Sequence, residues 1–209
     1  MDRKKDLKAV LFDMDGTLIT LGLDMDRIRK KVSEIFLPYG IKDDFIPILE
    51  KIEILCSKIK NGEEIKNTAL RVIEEEEIKA SETSKLITHA DKVLEKLKHK
   101  KIKIALITRN CRTATINALR KHNILEFFDI IITRDDGKWK PDPFPIIKAI
   151  KYFGISPKEA LIVGDHPYDI IAGKRAGVIT VAFLYRNKDL IKYSPDITIK
   201  SLEEILCII

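Results

Sequence analysis

The chain has 209 residues, 38 Lys and Arg against 32 Asp and Glu, and 45% apolar residues, so a disordered tail or a fibre is excluded. That length suits one full domain with a smaller insertion, and it allows a core that needs no disulfide or structural metal. The net charge of +6 is not a nucleic-acid signature, because Lys is spread along the whole chain and the single Trp139 stands alone.

The first residues are basic, but Asp13 cuts the apolar stretch that follows them, so the segment lacks the core of a signal peptide. No apolar run approaches the ~18 residues needed to span a bilayer, and a cytoplasmic location is expected. Cys56, Cys111 and Cys207 lie far apart and form no CxxC pair, as free thiols in a reducing compartment would. The chain has no Gln and much Lys, Glu and Ile, which fits either a high-temperature origin or low-GC codon bias.

The short apolar run Lys8–Phe12 predicts a first buried strand. From about Thr20 to Lys85 the pattern turns helical, with apolar residues at Ile28, Val32, Ile35 and Phe36 and then at Ile48, Ile52, Leu55 and Ile59. A third helix is expected over Glu63–Lys79, with Arg71 and Lys79 each four residues from Glu75 and the acidic run Glu74–Glu77 as a solvated face. Gly40 and Gly62 punctuate these helices.

Beyond the helical block, helix and strand alternate. The helical patterns are Asp91–Lys100, Arg112–His122, Pro143–Phe153, Tyr168–Ala176 and Leu202–Leu206. The strand patterns are Ile102–Ile107, Asp129–Ile132, Leu161–Val163, Val178–Phe183 and Ile197–Ile199. Such alternation predicts an α/β fold, a parallel sheet with helices on both faces.

Ligands bind beyond the carboxyl ends of strands in such sheets. The first strand ends in Asp13-Met14-Asp15-Gly16-Thr17, whose two carboxylates at i and i+2 leave on one side before Gly16 lets the chain turn. The next ends in Thr108-Arg109-Asn110, a hydroxyl, an amide and free N–H groups near a helix start, which suits an anion. Then come Lys140-Pro141-Asp142-Pro143 and Gly164-Asp165-His166-Pro167-Tyr168-Asp169. Each motif alone is weak, but all four fall in order at one end of the expected sheet.

Asp13, Asp15, Asp165 and Asp169 would then share one pocket, where like charges about 4 Å apart repel by roughly 4 kcal/mol per pair at an effective dielectric near 20. A cation is required. With oxygen ligands and only four His in the chain, Mg²⁺ is favoured over Zn²⁺. Together with Lys140, a Thr hydroxyl and helix-start amides, this describes a site for a transferring phosphoryl group. Asp13 is placed to attack phosphorus, and Asp15 to protonate the leaving alcohol and later deprotonate water.

The series DMDGTL at 13–18, ALITRN at 105–110, KPDP at 140–143 and VGDHPYDIIAGKRAGV at 163–178 resembles the haloacid dehalogenase superfamily. The likeness is closest to its phosphoglycolate phosphatase-like members with a helical cap, and it covers roughly residues 6–19 and 86–200. It implies a Rossmann-like core of residues 1–19 and 86–209 with a small α-helical cap of residues 20–85. It also implies Asp13 as nucleophile and Mg²⁺ ligand, Asp15 as acid/base giving the metal its carbonyl, and Asp165 as a further ligand. Asp169 would be a ligand or stand behind one, Thr108 and Asn110 would hold phosphate, and Lys140 would steady nucleophile and phosphate. Arg109 either reaches a second anionic group of the substrate or points into solvent. His166 replaces a common Ser and reads as a tolerated loop residue, while Cys111 near a helix start reads as a spacer rather than an acidified thiol.

The expected activity is Mg²⁺-dependent hydrolysis of a small phosphorylated metabolite by a monomer or homodimer, without nucleic acid or membrane. A phosphomutase of the β-phosphoglucomutase type, a pyrophosphatase and a phospho-ligand-binding pseudoenzyme are the alternatives.

Overall fold

The computed structural model describes residues 7–185 and 188–209. The basic residues 1–6, read above for targeting character, lie outside them. In chain order the elements are β1 (Ala9–Phe12), β2 (Ile19–Thr20), α1 (Met25–Phe36), α2 (Ile48–Cys56), α3 (Gly62–Thr83), β3 (Lys85–Leu86), α4 (Ala90–His99) and β4 (Lys103–Ile107). They continue with α5 (Arg112–Lys121), β5 (Ile130–Ile132), α6 (Phe144–Phe153), β6 (Ala160–Gly164), α7 (Pro167–Ala176), β7 (Ile179–Phe183), β8 (Ile197–Ile199) and α8 (Ile205–Ile208).

Six strands form one parallel sheet in the order β5-β4-β1-β6-β7-β8. Because strand side chains alternate, Val10 and Phe12 of β1 join Ile104 and Leu106 of β4 on one face, against Val93, Leu94 and Leu97 of α4. Ala9 and Leu11 join Ala105 and Ile107 on the other, against Ile146 and Ala149 of α6 and Ala172 of α7. Burial on both faces is why these strands read as unbroken apolar runs. Helices α6 and α7 stop where Gly154 and Gly177 turn left-handed, at φ 65° and 76°.

Residues 20–85 hold no strand beyond their ends, but those ends pair. Ile19–Thr20 and Lys85–Leu86 make a two-stranded antiparallel sheet at the neck of the insertion. Two residues per strand are too short to leave a periodic signal in sequence. Between them Ile28, Val32 and Phe36 of α1, Ile48 and Ile52 of α2, and Ile65, Ala69 and Ile73 of α3 build a separate apolar cluster. Trp139, from the loop after β5, packs against that cluster. The C-terminal helical pattern divides into a 3₁₀ turn at Leu202–Glu204, capped by Ser201, and the short α8.

The acidic run of α3 is a solvated face only in its first half, where Glu75 is exposed and Glu74 half-buried. Glu76 and Glu77 are only 3% and 4% exposed. Glu76 pairs with Arg27 and with Lys31 (2.8 Å) of α1, while Glu77 points to the sheet domain and meets Arg134. Lys79 lies nearest Glu76, at 3.8 Å. The helix carries acids on two sides because it packs between α1 and α5, and each side needs a partner for a cation.

One ion cluster fixes the end of β5. Thr133 donates to Asp136 Oδ2 from both its amide and its hydroxyl, at 2.9 Å each, and Lys148 reaches Oδ1 at 3.1 Å. Burial alone would push this carboxyl up, but these donors and Arg112 hold it at about 2 against the ordinary 3.8. A depressed folded value means that the contribution is complete above pH 4 and is lost as pH falls toward 2, about 2 kcal/mol in all. Asp136→Asn is expected to lower the urea midpoint at pH 7, with the gap from wild type closing between pH 4 and pH 2. A gap independent of pH would show that the carboxylate charge is not the source.

Candidate active site

Parallel pairing sets the site. Phe12 is in register with Leu106 of β4 and Val163 of β6, so the residues leaving these three strands emerge level with one another. β1 also lies where the strand order reverses, the position at which open sheets bind ligands. The Asp13 amide still donates to Val163 O at 2.9 Å, which continues the ladder and fixes the Asp13 backbone.

Lys140 sits at the centre, 2% exposed. Its Nζ donates to Asp13 Oδ1 and Asp169 Oδ1, both at 2.6 Å, and to the Ile107 carbonyl at 2.8 Å. Burial would lower its pKa, but Asp13 and Asp169 reverse the direction and hold the ammonium charged. Asp169 is itself oriented by the α7 start, where its Oδ2 accepts the His166 amide at 3.1 Å. His166 caps that helix, its Nδ1 accepting the Tyr168 amide at 3.2 Å, and burial holds its pKa below the ordinary 6.5. The residue read from sequence as a tolerated loop position thus has a definite capping task.

Asp165 accepts from Thr17 Oγ1 at 3.1 Å. The sequence reading did not single out Thr17, although it lies inside the first motif. Two glycines make the carboxylates' approach feasible. A Cβ on Gly16, where φ is 87°, would stand 2.1 Å from Asp165 Oδ2, and one on Gly164 would stand 2.2 Å from Asp169 Oδ2.

Asp13, Asp165 and Asp169 each offer an oxygen within 4.8 Å of the others. Burial, only partly offset by Lys140, raises the Asp13 carboxyl to about 6. Burial, with the charges of Asp13 and Asp169, raises Asp165 to about 8. Oxygen donors that resist sharing negative charge fit a hard divalent cation. Asp15 stands apart from the three, its Oδ1 accepting the Leu21 amide at 2.8 Å on the side toward the insertion.

Thr108 and Asn110 are buried beside this group. The Thr108 hydroxyl donates to Asn110 Oδ1 at 3.0 Å, and Asn110 Nδ2 is buried without a partner among the described residues. An orphaned donor here fits an anion's oxygen. The pocket that Asn110 shares with Asp13, Asp15 and Lys140 has a volume of 130 Å³.

Arg109 neither extends into solvent nor is left for substrate alone. It pairs with Glu50 of α2 at 2.9 Å and lies over the Tyr168 ring, 4.6 Å from its centroid, so it spans insertion and sheet domain. Arg134, absent from the sequence reading, makes the deeper link. Its two terminal nitrogens donate to Glu77 at 2.7 and 3.0 Å, and Glu77 also accepts the Cys111 amide at 2.8 Å. Cys111 is buried and inert. Desolvation and the neighbouring Glu77 push its thiol up to about 12.

The family model of the haloacid dehalogenase-like hydrolases matches residues 10–183. A PpaX protein of Clostridium perfringens is 36% identical over 213 residues, with 96% of each chain covered. The pyrophosphatase PpaX of Halalkalibacterium halodurans is 31% identical over 222 residues, covering 98% of this chain and 97% of that one. Among solved structures, a predicted phosphoglycolate phosphatase from Haemophilus somnus superposes with a TM-score of 0.69 at 21% identity, over 97% of this chain and 98% of that one. No helix of the described residues is long and apolar enough to cross a membrane. A parallel sheet with its acidic cluster at the strand ends, matched across most of its length by one family of enzymes, places this chain among the haloacid dehalogenase-like hydrolases.

Proposed function

We propose that the protein hydrolyses a small phosphorylated compound through an aspartyl-phosphate on Asp13, with Mg²⁺ as its cofactor. The observation that carries this reading is the buried Lys140 ammonium held 2.6 Å from both Asp13 and Asp169. It steadies the nucleophile and faces the incoming phosphoryl oxygens with a fixed positive charge. Asp13 and Asp165, with the Asp15 carbonyl, would hold Mg²⁺, while Asp169 positions Lys140. When bound, the metal offsets the charge of the carboxylates and of the phosphoryl oxygens.

The chain's own groups account for the proton and bond changes. An Asp13 oxygen forms a bond to phosphorus as the bond to the leaving oxygen breaks, and Asp15 protonates that oxygen. Asp15, now ionised, takes a proton from water as the water attacks phosphorus and frees Asp13. Asn110 Nδ2, which has no partner among the described residues, holds a phosphoryl oxygen, and the Thr108 hydroxyl joins it by turning its proton away from Asn110 Oδ1. Residues 20–85 act as the cap that excludes bulk water, with Arg109–Glu50 as a contact across the opening. Inorganic pyrophosphate is the second reading, favoured by the PpaX relatives that match along nearly the full chain.

A phosphate-release screen over metabolite phosphates and pyrophosphate, with and without Mg²⁺, tests the reaction class. Release is expected only with the metal, and none on any compound would overturn the proposal. Asp15→Asn separates the roles of the two front carboxylates. It should slow alkyl esters about a hundredfold or more, and p-nitrophenyl phosphate by less than about tenfold, since that leaving group needs little protonation. Equal losses would remove Asp15 as the general acid.

A further inference from the structure

A second cavity, of 420 Å³, opens from the phosphoryl pocket and shares Asp15, Asn110 and His166 with it. It lies on the leaving-group side, beyond the proposed acid. Its far wall is supplied by the insertion, with Met25 and Ile28 of α1, Ile46 and Leu49 at and before α2, and Ile73 of α3. The cations on its border are already matched, Arg109 by Glu50 and Arg134 by Glu77. What remains is an apolar chamber more than three times the 130 Å³ of the phosphoryl pocket. A second phosphate group leaves most of that wall without a complementary surface, because its charge is costly to bury against apolar side chains.

One polar group in the wall has capacity to spare. Arg29 spends Nη1 on Asp26, at 2.7 Å, while its Nε is buried without a partner among the described residues. Arg29 itself lines the same cavity.

We propose that the leaving group is an organic alcohol with an apolar body of several carbons and an oxygen acceptor at its far end, seated between Ile28, Ile46 and Leu49 and reaching Arg29. This rests on the phosphohydrolase reading and fixes its substrate class in favour of an organic monoester over pyrophosphate.

Ethyl, butyl and hexyl phosphate test it, because their leaving alcohols are nearly equal in acidity and differ only in the surface to be buried. With purified protein and Mg²⁺, kcat/KM should rise along the series, by up to about fourfold per methylene, and exceed that for pyrophosphate. 5-Carboxypentyl phosphate should surpass hexyl phosphate by about tenfold, and Arg29→Met should erase that advantage. Ile46 is 55% exposed, so Ile46→Asp should fold, and it should flatten the chain-length series. A flat series in the wild type, or pyrophosphate ahead of every ester, overturns the inference and leaves the proposed hydrolysis standing. No release from any of these compounds overturns both.

Discussion

Asp13→Asn is expected to reduce phosphate release by at least about a thousandfold, equivalent to about 4 kcal/mol of transition-state stabilisation. The amide has nearly the shape of the carboxylate and can still meet Lys140, so the fold should persist. What it lacks is the anionic oxygen that bonds to phosphorus. The substitution also removes one of three carboxyl groups crowded within 4.8 Å, two of which burial and mutual repulsion hold well above their ordinary pKa. Without Mg²⁺, thermal stability should therefore be unchanged or higher, opposite to the effect on activity. A variant retaining more than a few percent of the rate would refute the covalent route, as would wild-type protein that carries no label when quenched during turnover of a ³²P substrate.

The second large effect lies outside the pocket. Glu77→Ala leaves the Arg134 guanidinium buried with its main partner gone and strands the Cys111 amide. Breaking one side of a buried pair costs about 3–5 kcal/mol, and at this chain length Tm should fall by roughly 10 °C. The double variant Glu77→Leu, Arg134→Met should recover the part of the loss that comes from the unpaired guanidinium, while the Cys111 amide stays without its acceptor. A single variant within about 1 kcal/mol of wild type would show that water reaches the pair and that the insertion is not anchored there.

The sheet was legible because β1, β4 and β6 are buried on both faces and so read as unbroken apolar runs. The site was legible for a related reason. Level registers bring Asp13, Thr108 and Asp165, the first residues after β1, β4 and β6, to one end of the sheet, and Lys140 reaches Asp13 from the loop after β5. The partners of charged groups could not. Glu76 and Glu77 look like any solvated acidic run until α1 and the residues after β5 supply Arg27, Lys31 and Arg134 from distant parts of the chain. Arg109 has the same history, its place decided by Glu50 on an element whose packing no local pattern encodes. Thr17 was in view but had no visible role until Asp165 came within reach of its hydroxyl.

Trp139 and Lys140 are neighbours in the chain but serve different bodies. The indole packs against the apolar cluster of the helical insertion, while the next residue's ammonium holds Asp13. Any shift of the insertion is therefore delivered to Lys140 across one peptide unit, about 3.8 Å between Cα atoms. Since the chain has one tryptophan, its tryptophan fluorescence comes from that joint alone. The protein carries its own optical gauge of how the insertion sits over the phosphoryl pocket, readable in the unlabelled wild type during turnover.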